Sequence, residues 1–115
     1  MSVTLYHNPR CSKSRAALLL LEERDYPTQI INYLKTPPSK ADLETILSLL
    51  KMEPRDLMRK KELPYKENNL ADPSLSRDQL IQAMIDHPKL MERPIVLANG
   101  KAAIGRPIEN VIAIL

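Results

Sequence analysis

The chain has 115 residues, 43% hydrophobic and 27% charged, with 17 basic and 14 acidic side chains giving a net charge of +3. That length fits one domain with its own core, residues 1–115, and the balance is that of an ordinary globular protein, not a disordered or fibrous one. Interspersed acids argue against a dedicated nucleic-acid binder, no apolar run approaches bilayer length, and a lone cysteine excludes a disulfide scaffold.

Ten prolines against two glycines imply stiff connections, and the absence of Trp and Phe leaves the core to aliphatic side chains. Residues 3–6, Val-Thr-Leu-Tyr, read as a short buried strand. A helix over residues 12 to about 24 follows, with Ala16 to Leu21 as an unbroken apolar run. Residues 28–34 form a second strand by β-branched content. Strand, helix and strand in so short a span predict a right-handed crossover and parallel pairing. Lys35-Thr36-Pro37-Pro38 is a rigid loop.

Ser39-Lys40-Ala41-Asp42 opens a helix with a capping-box pattern, and Leu43, Ile46, Leu47 and Leu50 give it one apolar stripe. Pro54 starts a short helical piece reaching Met58. Residues 60–74 are polar loop with some helical turns. Ser76-Arg77-Asp78-Gln79 is a second capping box, followed by a stripe of Leu80, Ala83 and Met84 and ended by Pro88. Residues 94–98 are a strand, Asn99-Gly100 a tight hairpin turn, and residues 101–104 the antiparallel return. Pro107 leads a final helix with Ile108, Val111, Ile112 and Leu115 on one face. The order is β-α-β, a helical insertion, then β-β-α. This α/β order is the thioredoxin-like arrangement, a mixed four-stranded sheet flanked by helices.

Cys11 falls where the first strand turns into the first helix. Free N–H groups and the positive end of the helix dipole stabilise a thiolate there, and Arg10, Lys13 and Arg15 add positive charge. The competing reading is a buried structural cysteine, but the surrounding segment is polar. Ser14 stands where a C-x-x-C motif has its second cysteine, so an oxidised Cys11 needs an external thiol. A Cys-x5-Arg phosphate loop is excluded because Ala17 occupies the arginine position.

Oxyanion binding then falls to arginines elsewhere: Arg59, Arg93 before Pro94, and Arg106 before Pro107, each offering a planar bidentate donor unless it is merely a solvated surface charge. His7 is a base, an electrostatic partner of the thiol, or a holder of the loop. His87 precedes Pro88 at a helix end and reads as structural. One cysteine and two distant histidines offer no metal-ligand spacing, so no metal is expected.

Tyr6-His7-Asn8-Pro9-Arg10-Cys11-Ser12-Lys13-Ser14-Arg15, Leu57-Met58-Arg59-Lys60, His87-Pro88, Arg93-Pro94-Ile95-Val96 and Gly105-Arg106-Pro107 resemble, in order, the signature blocks of the ArsC family of glutaredoxin-linked arsenate reductases. The resemblance implies that Cys11 attacks arsenate to form a covalent arsenic–sulfur adduct. It gives Arg59, Arg93 and Arg106 the oxyanion, and makes His7 and Ser14, with Arg15 beside them, the residues that tune the thiolate. It implies no bound cofactor. Glutathione is the co-substrate, glutaredoxin the partner that removes it, and arsenite the product.

A cytoplasmic monomer without nucleic-acid or membrane partners is the expectation. Two alternatives share these residues. One is an Spx-like transcriptional regulator, whose frequent C-x-x-C switch Ser14 breaks. The other is a thiol oxidoreductase acting on another oxyanion or on a glutathione mixed disulfide.

Overall fold

The β-branched and aliphatic run Val3–His7 forms the strand β1 on which the sheet is built, in a computed structural model that describes residues 2–115. β2 (Thr28–Asn32) pairs parallel to β1, with Val3 opposite Thr28 and His7 opposite Asn32. β3 (Ile95–Ala98) lies antiparallel on its other side, with Tyr6 opposite Ile95, and β4 (Lys101–Ile104) pairs antiparallel to β3. The order β2-β1-β3-β4 is the mixed four-stranded thioredoxin-like sheet that the sequence predicts.

Parallel pairing of β1 and β2 requires a crossover, supplied by α1 (Ser12–Glu23). Its Ala17 and Leu21, one turn apart, are fully buried in a cluster with Val3, Leu5, Val96, Ala98, Ala103 and Val111. Val3 and Leu5 alternate with Thr4, as a pleated strand with one face on this cluster must. At the β3–β4 turn Asn99 and Gly100 both take positive φ, 54° and 69°, the requirement of a tight two-residue hairpin.

Two predicted boundaries shift by two residues or more. β2 stops at Asn32 and not at Leu34, because the Asn32 side-chain oxygen accepts the Leu34 N–H and its carbonyl accepts those of Lys35 and Thr36. The last helix, α5, spans only Glu109–Ile112, and Ile112 is exposed, not on the buried face. The N–H groups of Val111 and Ile114 donate three residues back, to Ile108 and Val111. Those of Ile112 and Ala113 donate four back, to Ile108 and Glu109, so the repeat is mixed; Val111 is buried, and Ile114 and Leu115 pack against its cluster.

The chain divides into two units. The one above comprises the residues through Thr36 together with Arg93–Leu115, and Pro37–Glu92 forms the second. The second unit holds α2 (Lys40–Leu50), a 3-10 turn Pro54–Leu57, α3 (Leu63–Glu67), α4 (Arg77–Asp86) and a 3-10 turn Pro88–Leu90. Both capping boxes form as the sequence predicts. Ser39 accepts from Asp42 N while Asp42 accepts from Ser39 N, and Ser76 and Gln79 do the same. Each box contributes about 1 kcal/mol to its helix start.

Leu43, Ile46 and Leu47 of α2 are buried, as are Leu80, Ile81 and Met84 of α4, which packs against α2 and both 3-10 turns. Hydrogen bonds from Arg59 N to Leu90 O and from Glu92 N to Leu57 O flank a Met58–Met91 bridge and tie those turns together. Among the described residues no helix is long and apolar enough to cross a membrane.

Candidate active site

The sheet register brings the C-terminal end of β1, the N-terminal end of β3 and the C-terminal end of β4 to one edge, since Tyr6 is opposite Ile95 and Ile95 opposite Ile104. The Cys11 loop, Arg93-Pro94 and Gly105-Arg106 all follow or precede strands there. The Arg93–Pro94 and Arg106–Pro107 peptide bonds are cis. Gly105 donates its N–H to Pro94 O at 2.9 Å. A Cβ on Gly105 would lie 2.7 Å from Pro94 Cγ, so only glycine lets the two turns approach this closely.

Pro9 and Arg10 form a turn closed by Cys11 N donating to Asn8 O, and Arg10 N donates to the Asn8 side chain. Cys11 is then the N-cap of α1, in extended backbone (φ −95°, ψ 123°) and half-buried. Ser14, fully buried, holds this turn to the helix. Its Oγ accepts the Asn8 N–H at 2.9 Å and sits 2.6 Å from His7 Nδ1. Arg15 donates to Pro9 O at 2.9 Å. Burial, then the charge of Arg15, pushes His7 below its ordinary pKa of 6.5, so the imidazole is neutral at pH 7. Of the roles open to His7 in the sequence, the geometry displays that of loop holder, bonded through Ser14.

Burial pushes the Cys11 thiol up, but opposing contacts outweigh it and the net pKa is lowered. These contacts are the amide N–H groups of Ser14 and Lys13, followed by the charge and side-chain donation of Arg93. No cap hydrogen bond to the sulfur closes at short range. The amides therefore act through the charge–dipole field that a helix N-terminus supplies to a thiolate, and Arg93 adds its own charge and donor. Arg93 also has its Nε and Nη1 buried and without a hydrogen-bond partner. Buried donors left unmade are uncommon and costly, and beside a reactive thiol they describe a place for an anion.

Arg106 is exposed and in no ion pair among the described residues. Arg59 lies in the second unit, where its Nη1 is 2.6 Å from Glu62 Oε1. The structure therefore brings Cys11, His7, Ser14, Arg15 and Arg93 into one connected arrangement, whereas Arg59 has a carboxylate partner of its own. Glu62 was not singled out in the sequence; it meets Arg59 across a turn closed by Glu62 N donating to Arg59 O. His87 caps the end of α4, with its Nε2 3.5 Å from Asn68 Nδ2. No His, Cys, Asp and Glu cluster suited to a metal occurs among the described residues.

This arrangement places a thiol of lowered pKa beside a cationic fork, which suits attack on a tetrahedral oxyanion.

The chain is 54% identical over 114 residues to an arsenate reductase of Neisseria meningitidis, covering 98% of this chain and 97% of that one. It is 59% identical to a protein of Escherichia coli called uncharacterized protein YfgD, covering 98% and 96%. Its fold superposes on the solved arsenate reductase from Vibrio cholerae with a TM-score of 0.95 at 53% identity, covering 100% and 98%. The family model of the ArsC family matches residues 6–114, from the end of β1 through the cysteine turn to the last helix, and the chain belongs to that family.

Proposed function

We propose that this chain reduces arsenate to arsenite in the cytoplasm through a covalent Cys11 adduct, with glutathione and glutaredoxin as external reductants. The observation that carries this reading is the Arg93 guanidinium beside the Cys11 sulfur, its Nε and Nη1 buried and their donors unmade. Relatives called arsenate reductases support the choice of substrate.

The Cys11 thiolate attacks arsenic(V), an S–As bond forms, and one arsenate oxygen leaves as water after taking up protons. A glutathione thiol then forms a disulfide with Cys11 while the S–As bond breaks. The bonding pair stays on arsenic, which departs as arsenite. A glutaredoxin thiol removes glutathione from Cys11 by exchange, a step the lone cysteine cannot perform for itself. Arg93, with Arg106 from the neighbouring turn, holds the oxyanion and the charge that develops on it. His7, Ser14 and Arg15 are positioning residues that fix the turn carrying Cys11. The family resemblance gives Arg59 a share in the oxyanion, to be read from kinetics because Glu62 holds its guanidinium.

The test is an arsenate reduction assay with glutathione and glutaredoxin supplied, on wild type and Cys11→Ser. Arsenite release that needs Cys11 and both reductants is expected. Arsenite at the enzyme-free background from folded wild-type protein contradicts the reading.

A further inference from the structure

A cavity of about 280 Å³ opens beside the Cys11 turn, lined by Asn8, Pro9, Arg10, Asn32, Leu34 and Lys35. Its polar side chains are rich in donors. Asn8 uses its side-chain oxygen on Arg10 N and Asn32 uses its own on Leu34 N, and neither amide NH2 has a hydrogen-bond partner among the described residues. Arg10 and Lys35 have no ion-pair partner among the described residues, and the lining contains no carboxylate. Pro9 and Leu34 add apolar wall.

The larger cavity in the second unit, about 470 Å³, is different. Its cations are interspersed with Asp56, Glu62 and Glu92.

Position decides what the donor-lined cavity takes. Asn32 ends β2 opposite His7, so the cavity lies on the β2 side of the cysteine turn, whereas Arg93 enters β3 on the other side of β1. The Cys11 turn thus separates two cationic places, and the function proposed above assigns the inorganic oxyanion to the one at Arg93. At this volume the second cannot enclose an extended ligand, but it suits one carboxylate-bearing arm of a molecule lying along the turn. We infer that this cavity docks a carboxylate of the small thiol co-substrate and presents its sulfur to Cys11. The inference rests on the thiol-dependent reading above, of which it names the reductant's binding site.

A binding experiment separates the two claims, because it needs no arsenate turnover. The side-chain amide resonances of Asn8 and Asn32 are followed by NMR while S-methylglutathione, which cannot react, is titrated in. Both resonances are expected to shift. The dimethyl ester of the same peptide, and the Arg10→Ala/Lys35→Ala variant with the parent peptide, should each bind about tenfold more weakly, as two exposed charge contacts imply. Sulfate should leave the two asparagines unmoved. Unchanged affinity in the variant or for the ester overturns the inference. Sulfate shifting both asparagines also overturns it, since the cavity would then belong to inorganic oxyanions.

Discussion

Two arginine-bearing regions of this molecule use the same side chain in opposite ways. In the second unit, Arg55 donates to the carbonyls of Leu70 and Asp72, and Arg59 is paired with Glu62. These guanidinium groups hold loops together. At the edge of the sheet, Arg93 keeps two buried nitrogens unbonded next to an activated sulfur. A satisfied arginine contributes to stability; one left unsatisfied sacrifices some stability to keep a place for a ligand. The larger cavity lies by the satisfied region, and its cations are interspersed with carboxylates.

The comparison is most strongly tested at Arg93. Arg93→Ala should lower kcat/KM for arsenate by about 10²–10³-fold, the usual effect of deleting one oxyanion donor. Thermal stability should stay the same or rise slightly. A large fall in stability with activity retained would place Arg93 among the structural arginines.

Ser14→Ala should act next most strongly, and on folding. It strands the Asn8 N–H and His7 Nδ1 in a buried place, so a loss of about 1–3 kcal/mol is expected in urea unfolding. An unchanged midpoint would show that the clamp does not fix the turn.

Arg55→Ala should cost about 1–2 kcal/mol, since its two carbonyl contacts are only partly buried, and leave kcat/KM for arsenate within about twofold. A greater loss of activity than of stability would erase the contrast between the two regions.

Much of this could be read from the residues because it is local. Ser39, Ser76 and Asn99-Gly100 announce two helix starts and a hairpin by the chemistry of their own backbone neighbourhoods. Cys11 is exposed as an N-cap by the change from a β-type run to a helical one. What stayed hidden depends on partners or on a changed repeat. The last-helix stripe assumed a helix running to Leu115, but the helix stops at Ile112, and Ile114 and Leu115 after it are bonded three back. Asn32 ended β2 early because its side chain competes for backbone donors. His7 and Ser14 were both visible as candidates, yet their mutual bond spans seven residues across a strand, a turn and a helix. Periodicity cannot supply such a contact. The unmade donors of Arg93 likewise belong to a buried place, which no spacing reveals.

The most direct measurement is the alkylation rate of Cys11 against pH, in wild type and Arg93→Ala. The thiolate is the reacting species and its pKa is lowered, so the rate should rise through an inflection below the ~8.5 of a free thiol. Removing Arg93 should move that inflection upward. A wild-type inflection at or above ~8.5, unmoved in the variant, contradicts an ionised sulfur held by that guanidinium.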